Sequence, residues 1–190
     1  VYEDVKYISW GSYQGLTADG DMIMWGDPFI EKAALTEIEI VRNGNIEVMK
    51  NSFYITADKK LYARYDIEHV GQSKSYNNED TLIMENVVDS ATTYRQLVLK
   101  ENGELWAFRI DHSTFEFVES PKKILKGVKK IIHNANAALL LKKDGSLWFY
   151  GNNEFGQCGN GEHGDLSYNT EDSVVTVPYK IMEHVKDAWL

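Results

Sequence analysis

A single cysteine, Cys158, stands in a chain of 190 residues, so no internal disulfide can form. That scarcity suits a reducing compartment. It equally suits an exported bacterial protein that manages without disulfides, so an extracellular or cell-surface bacterial location stays open. No apolar run approaches the ~20 residues of a membrane-spanning helix, and membrane insertion is not expected. The opening Val1-Tyr2-Glu3-Asp4 is not a signal peptide, and the chain reads as a piece of a longer protein. Positive charge is also in short supply: 20 Lys and Arg face 29 Asp and Glu, a net of −9. A broad phosphate-binding surface needs clustered cations, so neither nucleic acid nor an anionic membrane surface is an expected partner. The pairs Lys122-Lys123 and Lys129-Lys130 read as solvated strand faces.

The residue patterns that carry chemistry are equally sparse. None of the five histidines (His69, His112, His133, His163 and His184) forms a ligand pair at metal spacing. Glu162, His163 and Asp165 are neighbours that could hold an ion, yet adjacent polar residues are ordinary in a loop, and no metal is expected. Gly159-Asn-Gly161-Glu-His-Gly164 spells G-x-G-x-x-G, but Asp165-Leu-Ser-Tyr-Asn does not open a helix, as a dinucleotide site requires. There is no G-x-S-x-G elbow, and no carboxylate pair stands out from the surface acids. Cys158 has no basic neighbour in sequence to activate it. The expectation is therefore a chain with no cofactor and no catalytic residues.

What the sequence does contain is repetition. Val128 to Gly151 runs as a short apolar strand, a second strand ending at Lys142, the turn Asp144-Gly145, and an aromatic third strand. Asp-Gly between apolar runs is a strong hairpin signal, because glycine tolerates positive φ. The unit recurs from Val87 (turn Asn102-Gly103), from Ile46 (turn Asp58-Lys59, without glycine) and from Val5 (turn Asp19-Gly20). It reopens at Val185. A closing strand follows each third strand: Pro121 to Val128 matches Pro178 to Val185, Asp80 to Val87 shares the frame, and Ile38 to Val41 serves the first unit. Proline at the start of such a strand suits an outer edge, where no ladder N–H is needed. Four short strands in about 40 residues is the arithmetic of a β-propeller blade. The expected fold is all-β, with blades at 5–45, 46–86, 87–127 and 128–184, a polar insertion at 162–173, and the first strand of a fifth blade at 185–190. The one candidate helix, Phe29 to Leu35, is a turn or two long. Four blades do not obviously close a ring, so a partial propeller with open edges, prone to self-association, is expected.

The fourth unit continues Tyr150-Gly151-Asn152-Asn153-Glu154-Phe155-Gly156-Gln157-Cys158-Gly159-Asn160-Gly161. This resembles the regulator-of-chromosome-condensation repeat family, whose signature runs D-G, an aromatic strand ending W-G, then N-x-x-G-Q-L-G-x-G. Cys158 stands where the family usually has leucine, which implies a small core hydrophobe. Trp25-Gly26 keeps the aromatic-glycine ending in the first unit, while Arg64-Tyr65 and Phe108-Arg109 replace it in the second and third. The frame covers nearly the whole chain, and the full signature appears once. The resemblance implies a propeller of usually seven blades. One relative exchanges nucleotide on a small GTPase and a bacterial one inhibits β-lactamases, but no interaction residue of either matches here.

Aromatics give the lead on function. Trp25, Phe108 and Tyr150 form one repeated column and Trp106 and Trp148 another, which reads as packing between blades. Trp10, Tyr13, Tyr54 and Tyr94 fall between first and second strands, whose connections share one rim of a propeller. Tyr and Trp give large contact area at low entropic cost, so this rim suits a protein partner. The expected function is a non-catalytic protein-binding scaffold. Two alternatives stand beside it: a carbohydrate-binding or enzymatic propeller with its site at the channel or at 162–173, and a structural surface repeat of a larger bacterial protein.

Overall fold

The structure, a computed structural model, describes residues 5–9, 14–25, 39–50, 53–63, 80–111, 116–161 and 173–189. The candidate helix at Phe29 to Leu35 and most of the 162–173 insertion lie outside these residues. The chain divides into two compact units, Val1–Asn86 and Val87–Leu190.

Each unit holds two four-stranded antiparallel sheets, and every strand pairs with its neighbours in sequence. In the first unit, β1 (Val5–Ser9), β2 (Gln14–Thr17), β3 (Met22–Met24) and β4 (Glu39–Arg42) form one sheet. The second sheet is β5 (Ile46–Lys50), β6 (Phe53–Thr56), β7 (Lys60–Ala63) and β8 (Thr81–Glu85). In the second unit, β9 (Val87–Thr92), β10 (Gln96–Lys100), β11 (Leu105–Ile110) and β12 (Phe117–Leu125) form the third sheet. The fourth is β13 (Val128–His133), β14 (Ala137–Lys142), β15 (Leu147–Asn152) and β16 (Val174–Met182).

The glycine of the second-to-third-strand turn joins one sheet to the next. Gly103 sits at φ 81°, a conformation open to glycine at no steric cost. Its carbonyl accepts the N–H of Val128, the first residue of β13, at 3.0 Å. A methyl group on Gly103 would come within 3.2 Å of the Val128 carbonyl oxygen. Gly20 accepts from Ile46, and Gly145 from Val185, in the same way. Lys59 occupies the equivalent turn position with a side chain, at φ 63°.

The sheets then stack through alternate residues of the inner strands. In the second unit Leu97, Leu99, Leu105 and Ala107 of the third sheet meet Ala138, Leu140 and Tyr150 of the fourth. Each such leucine contributes about 1.5–3 kcal/mol by leaving water. In the first unit Leu16 and Met22 meet Ile46, Met49 and Tyr54. The aromatic column belongs to this packing: Tyr150 is fully buried, and half-buried Trp148 covers the same cluster. The exposed faces of the tryptophans carry cations, with Lys142 Nζ 5.5 Å from the ring centre of Trp148 and Lys100 Nζ 5.5 Å from that of Trp106.

Three details differ from the sequence reading. The closing strands start earlier than Pro121 and Pro178, which fall inside β12 and β16 at breaks in the pairing register. Both strands are the outer edges of their sheets, so the missing proline N–H costs no ladder bond. Tyr54 is not in a connection; only residues 51 and 52 separate β5 from β6, and Tyr54 is the second residue of β6. Residues 183–189 pair with no strand, although Val185 makes the glycine contact that Ile46 and Val128 make.

The signature loop after β15 is a scaffold for the far face of the fourth sheet. Asn153 accepts the Cys158 N–H on Oδ1 at 2.8 Å, and Gln157 accepts the Phe155 N–H on Oε1 at 2.9 Å. These bonds press Cys158, 1% exposed, onto Ala137 and Phe149. Gly151 passes so close to the β13–β14 turn that a Cβ there would lie 2.6 Å from the Asn136 carbonyl oxygen.

A candidate binding groove between the third and fourth sheets

Of the four aromatics expected on the rim, Trp10 and Tyr13 lie outside the described residues. Tyr54 and Tyr94 belong to different compact units. Tyr54 is 8% exposed, stacks on Tyr62 at 5.3 Å between ring centres, and donates its hydroxyl to Asp80 at 2.7 Å. Arg42 of β4 grips the same carboxylate through Nε at 2.6 Å and Nη2 at 2.8 Å. Burial, reinforced by Asp80, pushes the Tyr54 hydroxyl well above the usual tyrosine value. These are the contacts of a packing residue.

Tyr94 is placed differently. It is half-buried in the tight connection 93–95, where the Thr93 hydroxyl donates to the Arg95 carbonyl at 2.9 Å. Two guanidinium groups lie near its ring, Arg95 at 5.7 Å and Arg109 at 5.4 Å from the centre. Both arginines are held by one carboxylate. Arg95 donates to Glu119 through Nε at 2.9 Å and Nη2 at 3.2 Å, and Arg109 through Nη1 at 3.4 Å. Arg109 and Glu119 face each other across β11 and β12, so the strand register fixes the pair. The Arg95 fork holds the Glu119 carboxyl below the usual glutamate range. Glu119 in turn, with Tyr150 beside it, favours the charged form of Arg95.

Beside this cluster opens a groove of about 200 Å³, lined by Arg95, Glu119, Ser120, Lys122, Tyr150 and Thr176 among others. Third-sheet residues form most of the wall, and Tyr150 of β15 and Thr176 of β16 supply the rest. Burial raises the Tyr150 hydroxyl above its ordinary value, so it stays a neutral donor. Fixed cations and hydroxyls in a recess make a recognition surface for anionic groups. The sequence reading found Tyr94 but missed Arg95, Arg109, Glu119 and Tyr150 as a set. The available signal was the β11–β12 hairpin, which places Arg109 opposite Glu119. Among the described residues no three His, Cys, Asp or Glu side chains gather as a metal site; Glu162, His163 and Asp165 lie outside them.

Four-stranded antiparallel meanders stacked face to face, each closed by an outer strand, are β-propeller blades. The chain has the fold of regulator-of-chromosome-condensation-like propellers. It is similar to Prp20p from Saccharomyces cerevisiae, with a TM-score of 0.59 and 16% identity over 90% of this chain and 48% of that one. It is also similar to human WBSCR16, with a TM-score of 0.51 and 15% identity over 89% of this chain and 48% of that one. The chain thus spans about half the length of these structures. At such identities the likeness is one of fold. No protein-family profile and no curated protein matches the sequence.

Proposed function

We propose that this chain is a non-catalytic, protein-binding scaffold in which 5–45, 46–86, 87–127 and 128–184 act as successive blades. Tyr94, with Arg95 and Arg109 beside its ring, is the observation that carries the reading. An aromatic and an arginine already fixed in place lose little entropy on binding, and both are favoured anchors at protein interfaces. The fold is compatible with that role: the structural report on Prp20p describes its binding to Gsp1p and histones. Those partners belong to that protein, and function resides in sites rather than folds.

The test is affinity capture from the native source with the immobilised chain, alongside Tyr94→Ala and Arg109→Ala. A partner retained by the natural chain and lost from both variants is expected. Retention of no protein, together with turnover of a small substrate, would overturn the proposal.

A further inference from the structure

We infer that the groove beside β12 receives a carboxylate side chain from an extended, partly apolar segment of the partner, an inference that rests on the protein-binding reading above. Its volume, about 200 Å³, admits one side chain rather than a whole small-molecule ligand. Its charge is one-sided. Of the residues that line it, Arg95 is matched by the single carboxylate of Glu119, which a further cation just outside, Arg109, also shares. Lys122 is then the one positive charge of the lining in excess, exposed and without an acidic partner among the described residues. Ser120 and Thr176 bring hydroxyl donors to the same wall, and Tyr150 closes it with a side chain that is 1% exposed.

The surroundings favour a peptide over a free anion. β12 and β16 run near one another, and each presents an apolar side chain next to a groove residue. Val118 is 59% exposed and Val177 77% exposed. Neither valine lines the groove; they stand exposed on the two edge strands beside it, where the residues flanking a bound carboxylate would lie. The acidic excess of the chain does not oppose this locally: 87–190 carries 12 Lys and Arg against 14 Asp and Glu, while 1–86 carries 8 against 15.

The test is fluorescence anisotropy with the full chain and a labelled, capped peptide alternating Leu and Glu. A Leu/Gln peptide of the same length is the neutral comparison. The glutamate peptide is expected to bind about tenfold more tightly, with the advantage shrinking as salt is added. Lys122→Glu and the milder Lys122→Gln should each remove most of that tenfold advantage, with thermal melting unchanged. Lys186→Glu, the same charge change outside the groove, should leave it. Free glutarate should compete only at far higher concentration than the peptide, because it lacks the apolar contacts. Equal binding of the two peptides, equal loss from the Lys122 and Lys186 variants, or glutarate competing as well as the peptide would each overturn the inference. The scaffold reading fails separately, when the natural chain retains no protein and turns over a small substrate.

Discussion

At the scale of single residues, the turn between second and third strands governs how one sheet hands over to the next. Gly103 combines positive φ with close approach to Val128, so two penalties fall on any side chain placed there. Gly103→Ala should cost about 1–2 kcal/mol for the left-handed backbone alone, read as a lower urea midpoint at unchanged slope. Lys59 tests the argument in reverse, since it holds φ 63° with a Cβ. Lys59→Gly relieves that strain and gives back part of it to the greater freedom of the unfolded chain, for a net gain of about 0.5 kcal/mol. The Lys59–Glu47 ion pair it removes is exposed and offsets little of this. A lower midpoint for Lys59→Gly would show that the left-handed lysine is not strained. Cys158 makes a second residue-level case. Buried under the Asn153 and Gln157 bonds, its thiol should react with an aromatic disulfide reagent only at the rate of local opening. Rapid stoichiometric reaction in native buffer would contradict that placement.

At the scale of elements, what was legible in the sequence follows from how local the physics is. The units opening at Val5, Ile46, Val87 and Val128 are legible because apolar runs and turns, Asp-Gly or Asn-Gly in three and Asp58-Lys59 in the second, act within a few residues. The closing strands were harder to bound: β12 and β16 continue past their prolines only because an edge strand tolerates a broken register. Of the groove and its surroundings, only the Arg109–Glu119 pairing across the β11–β12 hairpin was within reach of the sequence. Arg95, Glu119 and Tyr150 are brought together by the stacking of two sheets, and no spacing along the chain encodes that meeting. Their coupling makes a pH prediction. The Glu119 pKa is depressed in the folded state by Arg95 first, so its contribution is fully present above the ordinary glutamate value of 4.5 and is lost as pH falls through the lower folded value. Glu119→Gln should therefore lower stability near neutrality and flatten its fall across the acid range below 4.5, measured by urea melts at a series of pH values. An unchanged acid slope in Glu119→Gln would place the lost protonation elsewhere.

For the whole molecule, the stacking pattern decides how small a folding piece can be. A single sheet of this kind has two apolar faces and little to cover them. In the fourth sheet Ala138, Leu140 and Tyr150 are buried against the third, while Ala137 and Phe149 on the other face lie under Cys158 and its loop. Residues 87–190 therefore contain both covers for the fourth sheet within themselves, together with the backbone bond from Val128 to Gly103. Residues 128–190 keep the loop but lose Leu97, Leu99 and Leu105 from the opposite face. Each lost leucine contact is comparable to a core truncation of about 2–5 kcal/mol, and three of them exceed much of the 5–15 kcal/mol that stabilises an ordinary domain. Expressed alone, 87–190 should fold, with slow hydrogen exchange at the amides of Leu140 and Tyr150, and 128–190 should exchange there at unfolded rates. Slow exchange in the shorter piece would mean that a blade of this protein is stable by itself and that the face-to-face contact is not what holds it.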